Sequence, residues 1–373
     1  MTGSADHPSW QSVLSRLAER QGGPRGTLRQ DTLLERRPFR LLKLHLDATG
    51  PVPAGRPPLL VVYSLVNRPD ILDLTPGRSL LRQLALQGFP LYLVDWGYPI
   101  DADRCLDLED YVPGFLGRAI DRVEADAGRG GVVLLGVCQG GTLSLCQASL
   151  EPERVSRLVL LGTPVDFHAG SHPLAQLART LPCLDEPAPD NIPGSWLSAA
   201  FTSLKPVDLL VRRYRKLHQL GEQGPDAIDE FVRMETWMYD CPDQPGRLFH
   251  RFIREFYHDN ALIRGQLRIG GRAVRLERLS MPILSIYARD DHLVPEPMAA
   301  ALTAAAPSAR VSECVVPGGH LGLFLSKRSR DRLLPAILAF VSDAGDTPGN
   351  NDFSKANQMH DGNGQDAARP RPT

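Results

Sequence analysis

The feature that most constrains the fold of this chain is a motif at residues 132–141, where an apolar run leads into the pattern Gly-x-Cys-x-Gly. Gly136, Cys138 and Gly140 form the pattern, and a helical sequence begins at Thr142. A nucleophile on a tight strand-to-helix turn needs small neighbours, because larger side chains would clash with nearby backbone. The motif therefore predicts a nucleophile elbow in which Cys138 is the nucleophile.

The sequence around this motif has the alternation of a mostly parallel sheet. Short apolar runs alternate with longer amphipathic ones between residues 57 and 320, which indicates strand, helix, strand. The strands are predicted at residues 59–63, 91–95, 132–136, 158–162, 283–287 and 311–316. Several are apolar almost throughout, as expected for strands covered on both faces. Together with the elbow, this pattern predicts an α/β-hydrolase fold.

The alternation stops after Pro164, and a mainly helical sequence follows until a strand returns near Ile283. We predict a helical lid, or cap, at residues 164–275, inserted between two parts of the core at residues 45–163 and 276–342. Residues 1–44 form an N-terminal segment outside this core. Residues 343–373 are rich in Asn, Asp, Gly and Pro with few bulky apolar side chains, so they are predicted to be a disordered tail that is dispensable for catalysis.

Composition and charge exclude several classes of function. A net charge of −1 gives no electrostatic reason to expect a nucleic-acid partner. The longest apolar runs are too short for a membrane span, and the N-terminus has no secretory signal, so a cytoplasmic protein is predicted. The six cysteines lack Cys-x-x-Cys spacing, which argues against a zinc site and against a disulfide framework.

A cysteine nucleophile needs a base and an acid, and this fold supplies them later in the chain, each on a loop after a strand. His320 follows the predicted strand at residues 311–316, behind two glycines that allow its loop to approach the elbow. Asp290 and Asp291 follow the strand at residues 283–287. Only one of them can face His320, and the spacing alone leaves both open. His292 is interpreted as a support for this loop.

Two backbone N–H groups are predicted to form the oxyanion hole. The first belongs to Gln139, which directly follows the nucleophile at the start of a helix. The second is expected from the loop after the first core strand, at residues 64–69, because that loop lies beside the elbow in this fold. Val66 is the predicted donor.

The elbow and several distant segments resemble one family, the catalytic subunits of polyhydroxyalkanoate synthases. The resembling segments are residues 62–69, 94–99, 136–141, 163–167, 203–206, 242–244, 291–295 and 317–320. They extend over roughly residues 57–340, lid included, and are most similar to the short, two-component class III enzymes. By this resemblance Cys138 is the nucleophile, His320 the base and Asp291 the acid.

The resemblance also implies a substrate, a product and partners. The substrate would be a 3-hydroxyacyl-CoA, typically 3-hydroxybutyryl-CoA, and the product a polyester, with release of CoA and no other cofactor. A PhaE-type companion subunit would raise the activity, a homodimer is also compatible, and the protein would associate with polyester granules.

Two other functions remain open at the level of sequence. The same residues would serve a cysteine hydrolase, either a thioesterase or a dienelactone-hydrolase-like enzyme, if water reached the acyl group. A scaffold that retains an inactive hydrolase fold is a third interpretation, which the three filled catalytic positions oppose. A cysteine suits the synthase because exchange between the CoA thioester and an enzyme thioester is nearly isoenergetic, while transfer to a hydroxyl is downhill.

Overall fold

The structure is a computed structural model, and it describes residues 26–47, 55–170, 172–182, 189–204 and 225–342. Its centre is an eight-stranded sheet in the spatial order β1-β2-β4-β3-β5-β6-β7-β8. The strands are β1 (Arg29–Arg36), β2 (Phe39–His45), β3 (Leu59–Val62), β4 (Leu91–Asp95), β5 (Val132–Val137), β6 (Val155–Leu161), β7 (Ile283–Ala288) and β8 (Val311–Val316).

The pairing of these strands makes six of them a continuous parallel sheet. Parallel ladders join β4 to β3, β3 to β5, β5 to β6, β6 to β7 and β7 to β8. The strands β1 and β2 form an antiparallel hairpin, and β2 is also antiparallel to β4. Because the carboxyl ends of the parallel strands meet at one edge, the loops after β3, β5, β7 and β8 are brought together there.

All six predicted core strands are present, with ends that differ by at most a few residues. The sheet, however, begins earlier than the predicted core, which was placed from residue 45. The hairpin of β1 and β2 lies within the predicted N-terminal segment and extends the sheet at one edge. It escaped prediction because β1 is half exposed and carries charges on both faces, so it lacks the apolar run of a buried strand.

Helices pack on both faces of the sheet and in the lid. They are α1 (Leu80–Leu86), α2 (Gly117–Ala127), α3 (Gln139–Leu150), α4 (Pro173–Thr180), α5 (Gly194–Ser203), α6 (Pro225–Tyr239), α7 (Gly246–Phe252), α8 (Glu296–Ala305), α9 (Gly322–Leu325) and α10 (Lys327–Ser342). There are also two π-helical stretches, Asp110–Leu116 with seven residues and Ile253–His258 with six. Short two-stranded ribbons lie at residues 73–79 and 268–273.

The buried core is split by the sheet into two layers. Along β3, Leu60 and Val62 belong to one apolar cluster and Leu59 and Val61 to the other, as expected when successive side chains point to opposite faces. The first cluster includes α2, α3 and α8, and the second includes α1 and α10. None of the helices in the described part of the chain is long and apolar enough to cross a membrane.

The segment predicted as a lid contains α4, α5, α6, α7 and the π-helical stretch Ile253–His258, so its helical character agrees with the sequence pattern. Residues 205–224 of the lid and the predicted tail at residues 343–373 lie outside the described residues. The division of the chain into core, lid and tail stays a prediction.

Candidate active site

Cys138 lies on the turn between β5 and α3 in a strained backbone conformation, with φ 52° and ψ −125°. Such a positive φ is rare for a residue with a side chain and is often kept at functional sites. The glycines of the motif allow the turn to close. A Cβ at Gly136 would lie 2.5 Å from Gly141 Cα, and one at Gly140 would lie 2.3 Å from the carbonyl oxygen of Tyr63. The elbow therefore requires both small residues.

His320 and Asp291 meet beside the elbow. The Nδ1 atom of His320 lies 2.7 Å from Asp291 Oδ2, and both side chains are buried. The imidazole packs over Gly162, where a Cβ would lie 3.2 Å from His320 Cε1. Because Nδ1 is engaged by the carboxylate, Nε2 is the ring nitrogen left to interact with Cys138. Cys138 is close enough to the imidazole to contribute to the raised pKa of His320.

The two partners shift each other's protonation. Burial by itself would lower the pKa of His320, but the negative charge of Asp291 and that of a Cys138 thiolate outweigh it and raise the pKa well above its usual value. Burial by itself would raise the pKa of Asp291, yet the His320 charge and hydrogen bond, with two backbone N–H groups, hold it below its usual value. A charged pair at neutral pH is the consequence.

The structure distinguishes the two adjacent aspartates. Asp291 Oδ1 accepts hydrogen bonds from the backbone N–H groups of Leu293 and Val294, at 2.9 and 3.0 Å, which fixes the carboxylate toward His320. Asp290 is exposed, and its backbone N–H donates to the carbonyl of Gly318. The carboxylate that contacts His320 is therefore that of Asp291. His292 lines the cavity above the site.

The predicted oxyanion donors have different surroundings. Gln139 is the first residue of α3, so its N–H has no acceptor within the helix and lies next to the nucleophile. The N–H of Val66, in contrast, donates to Ser64 Oγ at 3.1 Å, and that of Leu65 donates to Gln139 Oε1 at 3.3 Å. In this conformation the Val66 N–H is thus engaged by its own loop, and its role as a donor stays a prediction.

A cavity of about 250 Å³ opens over Cys138 and His320, between the core and the lid. Most of its wall is apolar, and the lid helices α4, α5, α6 and α7 contribute a large part of it. Such a cavity suits an acyl group better than a charged one, because an unpaired charge is costly to remove from water. The thiol therefore faces an apolar chamber of the kind that ligands with hydrocarbon chains occupy.

Two tyrosines in the cavity wall were missed from the sequence. Tyr63 directly follows β3, and Tyr257 belongs to the π-helical stretch at residues 253–258, with its ring edge-on to Phe167 at 4.9 Å. Burial, followed by the charge of Cys138, raises the pKa of both phenols, so both remain neutral hydrogen-bond donors. The position of Tyr63 after a core strand was a usable signal, whereas a π-helical turn has none.

The described residues contain no group of three or more His, Cys, Asp or Glu side chains arranged to hold a metal ion. Cys105, Cys146, Cys241 and Cys314 are free thiols like Cys138, while Cys183 lies outside the described residues. The chemistry offered by the site therefore consists of a thiol, an imidazole and a carboxylate in sequence, next to an apolar chamber.

Comparison with known proteins agrees with this architecture. Residues 57–183 match the family model of the alpha/beta hydrolase fold. The crystal structure of a membrane phospholipase A, described as a bacterial virulence factor, is similar with a TM-score of 0.52 and 14% sequence identity, over 90% of this chain and 94% of that one. At this identity the likeness concerns the fold alone.

Three relatives with much higher identity are each named poly(3-hydroxyalkanoate) polymerase subunit PhaC. The Allochromatium vinosum protein is 39% identical over 306 residues, which cover 82% of this chain and 86% of the relative. The Synechocystis protein is 40% identical over 296 residues, covering 77% and 78%. The Haloferax mediterranei protein is 35% identical, covering 78% of this chain and 59% of the relative. The chain thus belongs to the PhaC family of poly(3-hydroxyalkanoate) polymerase subunits.

Proposed function

We propose that this protein polymerises 3-hydroxyacyl groups from CoA thioesters into a polyester and releases CoA, with 3-hydroxybutyryl-CoA as the expected substrate. The observation that carries the proposal is the apolar cavity over Cys138 in a chain of the PhaC family. An acyl group attached to Cys138 would lie in a chamber whose walls exclude bulk water, and this favours transfer to a bound hydroxyl over hydrolysis.

The first half-reaction is acylation of Cys138. The imidazole of His320 holds the proton taken from the Cys138 thiol, the sulfur attacks the thioester carbonyl, and the oxyanion is stabilised by the Gln139 N–H at the start of α3. The C–S bond to CoA then breaks, and the CoA thiolate takes the proton back from His320. The product is free CoA and an acyl thioester on Cys138.

The second half-reaction transfers this acyl group to the 3-hydroxyl of another unit. The hydroxyl oxygen attacks the Cys138 thioester, its proton passes to the imidazole of His320, and the thiol is regenerated by that proton. Asp291 orients the imidazole in this scheme. Its side chain is fully buried, and its two oxygens already accept from His320, Leu293 and Val294, which supports orientation over direct activation of the hydroxyl.

The remaining expectations about partners belong to the same proposal. The substrate itself supplies the CoA thioester, and the scheme requires no other cofactor. A PhaE-type companion subunit would increase activity by binding preferentially to the arrangement of the lid that admits substrate and releases polymer. A homodimer could act in the same way. In the cell we expect the protein in the cytoplasm on the surface of polyester granules.

The cysteine hydrolase is the competing function, and the product distinguishes it. The purified chain is incubated with 3-hydroxybutyryl-CoA, alone and with the companion subunit encoded by its source organism, and both CoA and the acyl product are measured. Polyester with release of CoA is the expected result. Release of CoA with free 3-hydroxybutyrate as the main product would overturn the proposal in favour of a thioesterase, and absence of any CoA release would leave only the scaffold.

A further inference from the structure

The loop after β3, residues 64–68, is bonded directly to the lid. The side-chain Nδ2 of Asn67 donates to the backbone carbonyls of Trp237 and Met238, at 3.0 and 3.3 Å. These carbonyls belong to the last turn of α6, where the supply of helical N–H donors ends; the Trp237 carbonyl also accepts from the N–H of Asp240 at 3.3 Å. Asn67 itself has a positive φ of 60°, a conformation that Asn tolerates better than most residues. It therefore caps the lid helix from outside.

The lid returns bonds to the same loop. The indole Nε1 of Trp237 donates to the backbone carbonyl of Arg68 at 2.7 Å, in a buried position. Just beyond α6, Cys241 lies next to Asn67: burial raises the pKa of its thiol, and the backbone N–H of Asn67 acts in the opposite direction. We call these reciprocal contacts, made by Asn67 and Arg68 with Trp237, Met238 and Cys241, the latch.

The other end of the loop touches the elbow. The N–H of Leu65 donates to Gln139 Oε1 at 3.3 Å, and Ser64 Oγ lies 3.5 Å from the same oxygen. The carbonyl of Tyr63 is close enough to Gly140 to forbid a side chain there. Only two residues, Leu65 and Val66, separate Ser64 from the latch, so a shift of Asn67 must also move Val66, the predicted second oxyanion donor.

On the core side, Arg68 is anchored firmly. Its guanidinium, with only 4% of the side chain exposed, forms an ion pair of 2.6 Å with the buried Asp95 and donates to the carbonyl of Gly97. These contacts fix the backbone carbonyl of Arg68, which accepts the hydrogen bond from Trp237. The loop is consequently set between a rigid core anchor and the end of a lid helix.

We propose that Asn67 and Trp237 are positioning residues that hold the loop after β3, with its predicted donor Val66, against the elbow only while α6 is docked. Cys138 is then acylated efficiently only under a closed lid. The inference rests on the proposed function, because it concerns how a thioester is activated. The consequence of this coupling is that Cys138 would receive its acyl group only when the closed lid already excludes water from the cavity.

The latch should affect one reaction of Cys138 and not another. Acylation by a thioester develops an oxyanion and depends on the position of the N–H donors. Alkylation of the thiol by iodoacetamide develops no oxyanion and depends on the thiolate and on access to it. Loosening the loop should therefore lower the rate of acylation while it leaves alkylation unchanged or slightly faster. General loss of structure at the site would not separate the two rates in this way.

The test uses Trp237→Phe, which removes the indole N–H but retains an aromatic wall, and Asn67→Gly, which removes the amide and still permits a positive φ. The control is Trp196→Phe, because Trp196 is a lid tryptophan with 69% of its surface exposed, outside the cavity wall. The full-length proteins are compared in first-turnover CoA release from 3-hydroxybutyryl-CoA and in alkylation by iodoacetamide, with the Cys138→Ala protein as the background for other thiols.

We expect both latch variants to acylate about tenfold more slowly, the effect of losing a hydrogen bond that positions the loop, with alkylation within about twofold of the parent. Trp196→Phe should match the parent in both rates. A ratio of acylation to alkylation that is unchanged in both latch variants would overturn the inference, as would a parallel fall in both rates. Failure of the parent protein itself to release CoA would instead contradict the proposed function.

Discussion

At the scale of single residues, the strained backbone of Cys138 is held in place from both sides. Its N–H donates to the carbonyl of Leu161 on β6 at 2.9 Å, and its carbonyl accepts from Gly141 in the first turn of α3. These bonds offset the cost of the positive φ, which is of the order of 1 kcal/mol or more. The thiol is thus presented by main-chain contacts that do not depend on its own chemistry.

Replacing the nucleophile should for this reason abolish activity without unfolding the protein. Cys138→Ala keeps the Cβ and the backbone bonds, so its urea midpoint should stay close to that of the parent, while CoA release falls to background because no covalent intermediate can form. Cys105→Ala is the matched control, since Cys105 is an exposed free thiol distant in the chain from the elbow. Appreciable CoA release by the Cys138→Ala protein would refute the assignment.

The adjacent aspartates provide a second test at the same scale. Asp291→Asn should lower kcat by about 10³- to 10⁴-fold, because an amide facing Nδ1 disfavours the tautomer that the base requires. Asp290→Asn should change kcat little, since Asp290 is exposed and the carboxylate that contacts His320 is that of Asp291. Steady-state CoA release is the measurement. A larger loss in the Asp290→Asn protein would show that the geometry of the resting site misidentifies the acid.

The same pair predicts how stability depends on pH. The lowered pKa of Asp291 contributes to the free energy of unfolding. This contribution is present above about pH 4, the ordinary pKa of Asp, and is lost as pH falls through the folded pKa. The raised pKa of His320 gives one that is present below about pH 6.5 and is lost as pH rises through its folded value. The difference in unfolding free energy between the parent and Asp291→Asn proteins, measured with urea, should be largest between these limits. It should shrink as pH falls through the folded pKa of Asp291 and as pH rises through that of His320; a constant difference would contradict the charged pair.

At the scale of secondary-structure elements, the sequence predicted the parts that have a local signature. Strands buried on both faces are short apolar runs, and the elbow has its glycines, so both were found. The hairpin of β1 and β2 was missed because β1 is half exposed and carries charges on both faces. The choice of Asp291 over Asp290 came from a family resemblance, since adjacent residues on a loop have no pattern that tells which one turns inward.

Contacts between distant loops could not be predicted in this way. Asn67 and Trp237 are 170 residues apart in sequence, and neither lies in a motif that signals a partner. The engagement of Val66 by Ser64 is a further example, because a rotation of one peptide decides whether an N–H faces the substrate or its own loop. Such details depend on tertiary packing, which the spacing of residue types does not record.

The elbow also permits a test of packing between elements. Gly140→Ala would place a Cβ 2.3 Å from backbone oxygens of β3 and the loop after it, which cannot move as a flexible side chain could. We expect a loss of at least about 1–3 kcal/mol in unfolding free energy, measured by urea denaturation. Gly77→Ala is the control, because a Cβ at Gly77 meets nothing within 4 Å. Equal stability of the two variants would contradict the close approach of α3 to β3.

At the scale of the whole molecule, the sheet separates two apolar layers, and a small polar network lies at the edge where the loops meet. The carboxylate of Asp95, at the end of β4, forms ion pairs with Arg68 and Arg40 and accepts a hydrogen bond from the backbone N–H of Gly97. Burial by itself would raise the pKa of Asp95, but these partners, Arg68 foremost, hold it below its usual value. The carboxylate is therefore charged at neutral pH and depends on its partners for solvation.

Removing Arg68 should then destabilise the entire fold, because it leaves a buried charge with a partner that is itself half exposed. Arg68→Met keeps the length of the side chain but leaves Asp95 with Arg40 as its remaining charged partner. We expect the unfolding free energy to fall by about 3 kcal/mol, which is at the lower end of the range for broken buried pairs because Arg40 remains. Arg29→Met is the control: the pair of Arg29 with Asp31 is exposed and should contribute less than about 1 kcal/mol. Urea denaturation at pH 7 measures both. A loss in the Arg68→Met protein no larger than in the control would mean that the loop after β3 has no rigid anchor in the core. The latch could not then fix the position of that loop.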